Sequence, residues 1–531
     1  MNYHRNANYC NHIARTTIQG RTMWRTDGSV FGPNRLPALG LILGLLIALV
    51  ATKPGSCFAQ DYVPDQVVVN LNPGADIEDV NQRWGTTTID SFEDGIVHLV
   101  NAAGLGDIPT LALQMSGDPD VLEAEPNFRE DTPEGIRFML VVAIGGDLVD
   151  YEDQSLTSRI ELAAAHQHTR GLGVKVAVLD SGIDPTHDLF QGRIAPGGYD
   201  FVDEDTEPWE EANGIDDDGD DTIDEGYGHG TMVAGLVLLV APDAYILPIR
   251  VLDDEGRSDI YRITRAIRHA REQGADVLNL SFGSPGSSST MQTEMGLAND
   301  DQIVIVAGAG NESREEPAFY PGESSKTLMV TALDSVDVKA PFADWNQKVF
   351  VSAPGDGVRS AYPGNGWGLA SGCSFATPLV SGVAALIRAV RPGWTGENVE
   401  DQVESAVDPI YSIPGNSPYV DKLGSGRINA RLAVEGLITS DVGNAPSSTP
   451  PLVASPNPTH GSVWFTRAAA DGSLRDLQVV DATGRQVRLL SGADGPIHWD
   501  GRDDHGRPVP SGLYLYSLSG DSERRKLVVI R

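Results

Sequence analysis

Cysteine is scarce in this sequence. Its 531 residues include three cysteines, and two of them, Cys10 and Cys57, fall within the first 59 residues. If that segment is removed as a leader, only Cys373 remains, and the mature chain cannot form an internal disulfide. Exported proteins are often braced by disulfides, so their absence predicts another brace, such as a bound metal ion.

Basic residues are also few. Lysine and arginine number 39 against 74 aspartate and glutamate residues, which gives a net charge of −35. Such an acidic chain argues against a nucleic-acid partner and favours calcium ligation or a salty medium. The composition, 40% hydrophobic and 21% charged, is typical of folded soluble domains. The length allows about three of them.

The apolar run near the amino end is short. Residues 38–52 form a run of 15 residues, fewer than the roughly 20 that a membrane-spanning helix needs. An arginine-rich stretch precedes the run and small residues ending at Ala59 follow it. We therefore predict that residues 1–59 are a secretory signal peptide cleaved after Ala59. A transmembrane anchor and a lipid anchor at Cys57 are the alternatives, and Met23 is an alternative start.

Residues 62–130 have the pattern of a small folded module. The order of predicted elements is β-α-β-α-β, which suits a split β-α-β domain without evident chemistry. The predicted strands are residues 67–71, 96–100 and 121–125, and the predicted helices are residues 77–84 and 108–115. A very apolar stretch, residues 138–144, predicts a buried strand of unassigned domain.

The central region alternates strands and helices. This alternation is the signature of a parallel sheet covered by helices, whose functional sites lie at the carboxyl ends of its strands. Strands are predicted at residues 173–180, 245–251, 277–281 and 303–308, with a helix at residues 260–273.

Three polar residues stand out in this region. Asp180 ends a buried strand, His229 lies between two glycines at a helix start, and Ser374 begins a long helical pattern. Pro378 falls in the predicted first turn of that helix, where a missing N–H does little harm. Alone, the aspartate could cap a turn and the histidine could be structural. Together they offer the base and orienting acid that a serine nucleophile needs.

The motifs around these residues resemble those of the subtilisin-like serine proteases, or subtilases (peptidase S8). Residues 178–182, 228–231 and 372–378 match the three blocks in the family order aspartate, histidine, serine. The resemblance implies an α/β fold for residues 150–437. It consists of a subtilisin-like parallel sheet covered by helices, preceded by a small α+β propeptide and followed by an all-β Ig-like sandwich.

The resemblance also implies roles. His229 would take the Ser374 proton, Asp180 would orient the imidazole, and Asn311 would join the Ser374 backbone N–H in an oxyanion site. Cys373 and Phe375 replace the usual threonine and methionine, which bears on rate and mercury sensitivity rather than on mechanism. One segment would pair with the substrate backbone and another would line the pocket for the side chain before the scissile bond: Ser281, Phe282 and Gly283, and Ala307, Gly308, Ala309 and Gly310, respectively.

An acidic insertion separates Asp180 from His229. Residues 203–225 contain 13 acidic side chains and no lysine or arginine, so the segment would repel itself without a cation. Residues 214–225 align with a twelve-residue calcium loop, although Gly214 replaces its first acid. We predict a structural Ca²⁺ here, and a solvated acidic loop is the alternative. The candidate ligands are Asp216, Asp218, Asp220 and Glu225.

The flanking segments resemble accessory domains. Residues 60–135 resemble the family's inhibitory propeptide, which assists folding and is then cut off between residues 128 and 154. Residues 438–452 are predicted to be a linker. Residues 453–531 resemble the Ig-like sorting domains of type IX-secreted proteins and FlgD-like Ig domains; a spacer without an export role is the alternative.

These observations predict a secreted or bacterial cell-surface serine endopeptidase that processes itself from a proenzyme. Its partners would be polypeptide substrates, its own propeptide as inhibitor, and secretion machinery through the carboxyl-terminal domain, with no nucleic acid. A cell-surface binding protein on a silent subtilase scaffold is the alternative from another class. A processing protease with one cellular target is the narrower enzymatic alternative.

Overall fold

The computed structural model describes most of the chain after the predicted leader. The described residues are 61–92, 95–132, 142–216, 222–315, 319–439, 452–455, 459, 462–467, 476–481, 485–490, 497–518 and 525–529. We call residues 61–132 the amino-terminal module, residues 142–439 the central domain and residues 452–529 the carboxyl-terminal module. The predicted signal peptide and most of the predicted linker lie outside the described residues.

The amino-terminal module is an antiparallel sheet with two helices. Its elements are β1 Tyr62–Leu71, α1 Ile77–Trp84, β2 Thr87–Phe92, β3 Val97–Asn101, α2 Ile108–Met115 and β4 Val121–Asp131. The strand order is β2-β3-β1-β4. The predicted β-α-β-α-β order is therefore wrong by one strand. β2 lies at the sheet edge and alternates exposed with half-buried residues, so it lacks the apolar run that revealed its neighbours.

The two faces of this sheet contact different partners. Val67 and Val69 of β1 pack with the two helices of the module in one buried cluster. Val68, which points to the opposite face, shares a buried cluster with Phe282 of the central domain. Successive side chains of a strand face opposite ways. One strand therefore builds the module's own core and also attaches it to the central domain.

The central domain is built on a nine-stranded sheet. Its strand order is β16-β17-β13-β12-β11-β10-β6-β8-β7, and every neighbouring pair is parallel except β16 with β17. The strands of the sheet are β6 Lys175–Asp180, β7 Tyr199–Asp200, β8 Tyr245–Arg250, β10 Val277–Leu280, β11 Val304–Gly308, β12 Leu328–Leu333, β13 Val351–Pro354, β16 Val407–Asp408 and β17 Arg427–Ile428.

Helices cover this sheet, and shorter strands complete the domain. The helices are α3 Leu148–Glu152, α4 Ser155–Arg159, α5 Leu162–Ala165, α6 His229–Val240, α7 Ile260–Glu272, α8 Ser289–Asp300, α9 Cys373–Val390, α10 Gly396–Ser405 and α11 Ala430–Thr439; Asp188–Phe190 and Pro414–Tyr419 are 3₁₀ helices. The remaining strands are β5 Val142–Ile144, β9 Arg257–Asp259, β14 Val358–Tyr362 and β15 Gly366–Ala370.

Two buried helices form the core that carries the candidate site. Every residue of α6 is buried, and so are residues 373–388 of α9. Although α9 is long and apolar enough to cross a membrane, it is enclosed by the sheet and the other helices. A helix that is apolar on all sides is stable only when it is buried on all sides. The residues at the starts of these helices are therefore held rigidly.

The apolar stretch predicted as a strand at residues 138–144 is described only from Val142 onward. Residues 142–144 form β5, which pairs antiparallel with β15 in a three-stranded sheet. This pairing places β5 in the central domain, an assignment that hydrophobicity alone could not make.

The carboxyl-terminal module consists of two antiparallel sheets that share one core. The strands are β18 Leu452–Ser455, β19 Val463–Arg467, β20 Leu477–Asp481, β21 Gln486–Leu490, β22 Ile497–Trp499, β23 Gly512–Leu518 and β24 Arg525–Val529. The sheet orders are β18-β19-β22 and β21-β20-β23-β24, and Phe465 and Trp499 are fully buried between them. The predicted linker, residues 438–452, overlaps the end of α11 and the first residue of β18.

Candidate active site

Asp180 ends the central strand β6. It is fully buried, and one of its carboxylate oxygens, Oδ1, accepts the backbone N–H of Ser181 at 2.8 Å. The same oxygen lies 2.6 Å from Nδ1 of His229. A charge-assisted contact of this length between two buried groups is strong and directional. It orients the imidazole through Nδ1, so that Nε2 is the nitrogen that could transfer a proton.

His229 is the first residue of α6. Gly228 before it has φ 91°, a left-handed conformation that favours glycine. Gly230 after it lies so close to the aspartate turn that a Cβ atom there would stand 2.1 Å from the Gly182 carbonyl oxygen. The two glycines predicted to allow close approach therefore do so, and they bring α6 directly against the turn that follows Asp180.

Ser374 is the second residue of α9, not the first, because the helix begins at Cys373. Pro378 is consequently the sixth residue and lies beyond the first turn where we had predicted it. Since Pro378 has no N–H, it cannot bond the Ser374 carbonyl four residues earlier. The Ser281 hydroxyl donates to that carbonyl instead, at 2.9 Å. This bond ties the start of α9 to the segment after β10.

Asn311 follows β11 and is buried beside the same helix. Its side-chain oxygen accepts the Cys373 backbone N–H at 2.8 Å. That bond assigns the acceptor end of the amide to the helix and leaves the NH₂ group as the end that can donate. The candidate oxyanion donor and the candidate nucleophile are thus joined through Cys373.

The two departures from the family motif are both accommodated in the core. Cys373 and Phe375 are fully buried, and the Phe375 ring lies 5.1 Å from the imidazole of His229 between centroids. Phe375 therefore supplies an apolar wall beside the histidine, and Cys373 packs inside the domain.

The residues predicted to bind substrate follow two neighbouring strands. Ser281, Phe282 and Gly283 come directly after β10, while Ala307 and Gly308 end β11 and Ala309 and Gly310 follow it. The amino-terminal module already pairs with this region. Gly283 donates its N–H to the Asp131 carbonyl at 3.0 Å. On the other side, β4 pairs with β9, and Gly256, which precedes β9, accepts the Thr132 N–H at 2.9 Å.

Phe319 lies against both segments predicted to bind substrate, and the sequence did not reveal it. A Cβ atom on Gly283 would lie 2.7 Å from the Phe319 ring, and one on Gly310 would lie 3.2 Å from the Phe319 Cβ atom. Phe319 is 1% exposed. Its ring therefore lies between the two segments predicted to flank the pocket. No sequence motif identifies Phe319, because its position against Gly283 and Gly310 depends on how segments that are distant in the chain pack together.

Asp344 also lies against Gly310, beside Phe319. Its carboxylate accepts the Arg314 backbone N–H at 2.8 Å and reaches within 2.4 Å of where a Cβ of Gly310 would stand. Burial raises the pKa of Asp344 to about 6. Gly310, with φ 104°, thus owes its identity both to conformation and to this close contact.

Glu210 is a second residue that motif reading missed. One of its carboxylate oxygens accepts the Ser181 hydroxyl at 2.6 Å and the backbone N–H groups of Gly228 and Gly230 at 2.9 and 3.1 Å. These partners immediately follow Asp180 or flank His229. In the sequence Glu210 was one of 13 acidic residues of the insertion, and nothing distinguished it.

The predicted calcium ligands are only partly described. Asp218 and Asp220 lie outside the described residues, and among the described residues no three histidine, cysteine, aspartate or glutamate side chains group as a metal site. Asp224 accepts the backbone N–H groups of Asn213 and Gly214 and so closes the base of the loop. Among the described residues, the Oε2 atom of Glu225 is buried and has no hydrogen-bond partner.

A serine at a buried helix start, with an aspartate–histidine pair at the carboxyl edge of a parallel sheet, defines a serine hydrolase. Comparisons with known proteins give its family. Residues 171–432 match the Subtilase family, and residues 55–127 match the fervidolysin N-terminal prodomain. Subtilisin E of Bacillus subtilis (strain 168) is 35% identical over 291 residues, which cover 52% of this chain and 70% of that protein.

A second relative and a solved structure agree. Thermitase of Thermoactinomyces vulgaris is 33% identical over 287 residues, covering 52% of this chain and 94% of that protein. The crystal structure of fervidolysin from Fervidobacterium pennivorans, a keratinolytic enzyme related to subtilisin, matches with a TM-score of 0.57 at 19% identity. It covers 86% of this chain and 70% of that chain, and shows likeness of fold alone. The protein belongs to the subtilase family of serine proteases and carries an amino-terminal prodomain.

Proposed function

We propose that this subtilase is a secreted endopeptidase that cleaves peptide bonds through Asp180, His229 and Ser374. The 2.6 Å contact between Asp180 and His229 carries the proposal. His229 takes the proton of Ser374 as its oxygen attacks the scissile carbonyl, then gives that proton to the leaving amine. Water hydrolyses the resulting acyl-enzyme by the same route in reverse.

Asn311 and the Ser374 backbone N–H would hold the oxyanion. The support is the bond from Cys373 to the Asn311 oxygen, because it assigns the amide's NH₂ to donation. A donor of this kind acts on charge that develops only in the transition state. Its loss in a subtilisin costs about 10²–10³ in turnover, and we expect a similar loss here for Asn311→Ala.

The substrate would add a strand between two segments of the central domain. Support comes from the amino-terminal module, whose last residues already occupy that place between β9 and Gly283. The segment Ser281–Gly283 would bond the substrate backbone on one side. The segment Ala307–Gly310 would line the pocket for the residue before the scissile bond. Substrates would be polypeptides in extended conformation.

The amino-terminal module would inhibit the enzyme until it is cut off. Besides the strand pairing, Glu125 accepts hydrogen bonds from three residues at the start of α8, and Asn127 accepts the N–H of Tyr261. These contacts support a propeptide of residues 60–135 that folds onto the central domain and blocks its own substrate site. Self-cleavage between residues 128 and 154 would then release it.

The terminal segments would direct export. We assign residues 1–59 to a signal peptide from their composition. The seven strands described within residues 452–529 and the motifs at residues 499–501 and 511–514 favour an Ig-like sorting domain, residues 453–531, that recruits secretion machinery. The mature protease would be released or kept at the bacterial surface. A plain spacer is the alternative, and export of a chain lacking residues 453–531 would favour it.

A structural Ca²⁺ would order the acidic insertion. The buried, unpartnered oxygen of Glu225 supports this, and Asp216, Asp218 and Asp220 would supply further oxygens. The ion would neutralise a loop that otherwise repels itself. It takes no part in peptide hydrolysis.

The deciding experiment follows the intact mass of the chain expressed from Gln60 beside its Ser374→Ala twin. We expect the parent to lose a fragment ending between residues 128 and 154 while the twin stays whole. Turnover of a peptide library should likewise require Ser374. If both chains stay whole and neither turns over peptides, the surface-binding alternative replaces the protease.

A further inference from the structure

Glu210 joins the two chain segments that carry Asp180 and His229. It ends a short bridge in which Ile183 donates its N–H to the Pro208 carbonyl, and Glu210 donates its own N–H to the Ile183 carbonyl, both at 3.1 Å. Glu210 as a residue is half-buried, but its carboxyl group is enclosed. One carboxylate of the acidic insertion therefore lies between the segments that carry Asp180 and His229.

Both carboxylate oxygens accept hydrogen bonds there. Oε1 accepts the hydroxyl of Ser181 and the N–H groups of Gly228 and Gly230. Oε2 accepts the hydroxyl of Thr231. These four donors comprise the residue after Asp180, the residues on both sides of His229 and the next residue of α6. Gly230 also donates to the Ser181 hydroxyl at 2.9 Å, so the network links the two segments twice.

This carboxylate caps α6 from outside the helix. The N-cap residue, Gly228, has no side chain to satisfy the first N–H groups of the helix. Glu210 supplies that acceptor, and its negative charge suits the positive end of the helix dipole. Hydrogen bonds to an ionised acceptor are about twice as strong as neutral ones. The start of α6, and with it the imidazole, is therefore fixed by a residue of another segment.

We propose that Glu210 is a positioning residue, which holds His229 in register with Asp180 by bonding the aspartate turn and both neighbours of the histidine. The inference rests on the proposed function, since it concerns the same triad. Glu210 contacts neither substrate nor reacting atoms. Its effect passes through geometry, and a misplacement of about 1 Å in a reacting group costs about 10²-fold in rate.

The electrostatics give the proposal a second readout. Burial raises the pKa of Glu210 to about 7, opposed by its hydrogen bonds from Ser181 and Thr231 and assisted by the negative charge of Asp180. Glu210 therefore ionises in the same pH range as an ordinary imidazole.

The other titratable groups around Glu210 come from β6, α6, the segment before α6 and β14. Asp180 lies on β6 and His229 on α6, while Tyr227 and Tyr362, whose pKa values are raised by burial first and by Glu210 next, lie before α6 and on β14. Both tyrosines stay neutral at working pH. Glu210→Gln therefore removes a negative charge that lies beside Asp180 and is bonded to both chain neighbours of His229.

The experiment compares Glu210→Ala and Glu210→Gln with the parent expressed from Gln60. Active sites are counted with a serine-directed covalent probe, so that kcat refers to folded enzyme. Glu210→Ala should lower kcat about 10–100-fold and leave KM within about twofold. Glu210→Gln keeps the shape and one acceptor, so it should recover much of the loss. Its acid limb in kcat/KM should shift to lower pH, because one negative charge no longer stabilises the imidazolium.

Thr395→Ala serves as the matched control. Thr395 caps α10 by accepting the Asn398 N–H, so this variant loses a helix cap outside the site. It should keep the parent kcat and acid limb. The rate of first self-cleavage in the full chain is recorded too, since it requires the same triad and can be measured in variants that mature slowly.

Two results would overturn the inference. Either both Glu210 variants keep kcat and the acid limb of the parent, or Thr395→Ala loses kcat to the same extent, which would indicate general destabilisation. The parent is measured alongside with its Ser374→Ala twin. A parent without Ser374-dependent turnover would overturn the proposed function itself, and the inference with it.

Discussion

At the scale of single residues, the proposed substrate preference depends on buried side chains that lie against the substrate-binding segments. Phe319 is the clearest case, because a fully buried ring occupies the space between Gly283 and Gly310. A ring there would shorten the proposed pocket for the substrate residue before the scissile bond. We therefore expect the enzyme to prefer glycine, alanine or serine at that position.

The prediction is tested with Phe319→Ala and Phe319→Leu. Opening the pocket should raise kcat/KM for phenylalanine or leucine relative to alanine at that position by about 10-fold or more. Peptides differing only there are assayed per titrated active site. Phe190→Leu, which shortens a fully buried phenylalanine in another part of the core, is the control. Equal preferences in all four proteins would mean that Phe319 does not shape the pocket.

At the scale of secondary-structure elements, helix starts recur as the points where one segment controls another. Glu210 and Glu125 accept backbone N–H groups at the starts of α6 and α8. The Ser281 hydroxyl donates to the Ser374 carbonyl of α9, which Pro378 cannot bond. In each case the hydrogen-bond partner comes from a distant segment. A helix end leaves several backbone groups without partners, so it offers a ready anchorage for a side chain from elsewhere.

Glu125 makes this anchorage testable. It accepts the N–H groups of Ser289 and Thr290 and the hydroxyl of Ser288. Loss of a cap costs about 0.5–2 kcal/mol, so Glu125→Ala should weaken inhibition by the propeptide about 3–30-fold. The inhibition constant of residues 60–135 is measured against mature enzyme. Leu122→Ala on the same strand, whose side chain is 65% exposed, should inhibit like the parent. An unchanged constant for Glu125→Ala would contradict this role.

At the scale of the whole molecule, docking of the amino-terminal module should depend on pH. Glu130 is fully buried in β4, opposite Ser258 of the central domain. Burial raises its pKa well above the ordinary 4.5; the nearby Ser284 opposes the shift, and the charges of Asp131 and Glu125 add to it. The docked state thus holds a proton that the free module releases above about pH 4.5. Docking is favoured at low pH and weakens by up to about tenfold per pH unit as pH rises toward the docked pKa.

Glu130→Gln removes this dependence, because the amide is neutral at every pH. In the Ser374→Ala background, which cannot cleave itself, we expect the chains with and without Glu130→Gln to have equal melting temperatures near about pH 4. Near about pH 8 the chain carrying Glu130→Gln should melt about 2 °C or more higher. Glu78→Gln on the exposed face of α1 is the control. A difference between the chains that does not grow with pH would refute the proposed titration.

The proposed Ca²⁺ would brace the whole molecule, because the sequence after the predicted signal peptide has a single cysteine, Cys373. We expect a chelator to lower the melting temperature of the Ser374→Ala chain and added Ca²⁺ to restore it. Glu225→Gln should reduce that response, because it weakens the ligand with the buried oxygen, while Glu211→Gln at an exposed site should not. If the chelator leaves the melting temperature unchanged, the acidic insertion is solvated instead.

Much of the architecture could be read from the linear pattern. Four parallel strands of the central sheet, β6, β8, β10 and β11, and both helices of the amino-terminal module were predictable, because buried strands and amphipathic helices leave periodic apolar residues. The order of the aspartate, histidine and serine blocks was read from the motifs, whereas β7, β12, β13, β16 and β17 were not predicted. The edge strand β2 was not predicted, because it buries few apolar residues and therefore lacks the apolar pattern of a buried strand. The start of α9 was predicted at Ser374, one residue after its actual start at Cys373. The lost bond between Pro378 and the Ser374 carbonyl was therefore not foreseen.

The remaining features depend on contacts between residues far apart in the chain. Glu210 lies 29 residues from Ser181 and 20 from Gly230 along the chain, and no local pattern records that they meet. Phe319 lies against Gly283 and Gly310, and Glu130 is buried from solvent, only when separate segments of the chain pack together. Periodicity and motif order specify which elements form and which chemistry they carry. Burial, pKa and the identity of a pocket wall arise from packing, because they depend on what each side chain meets in space.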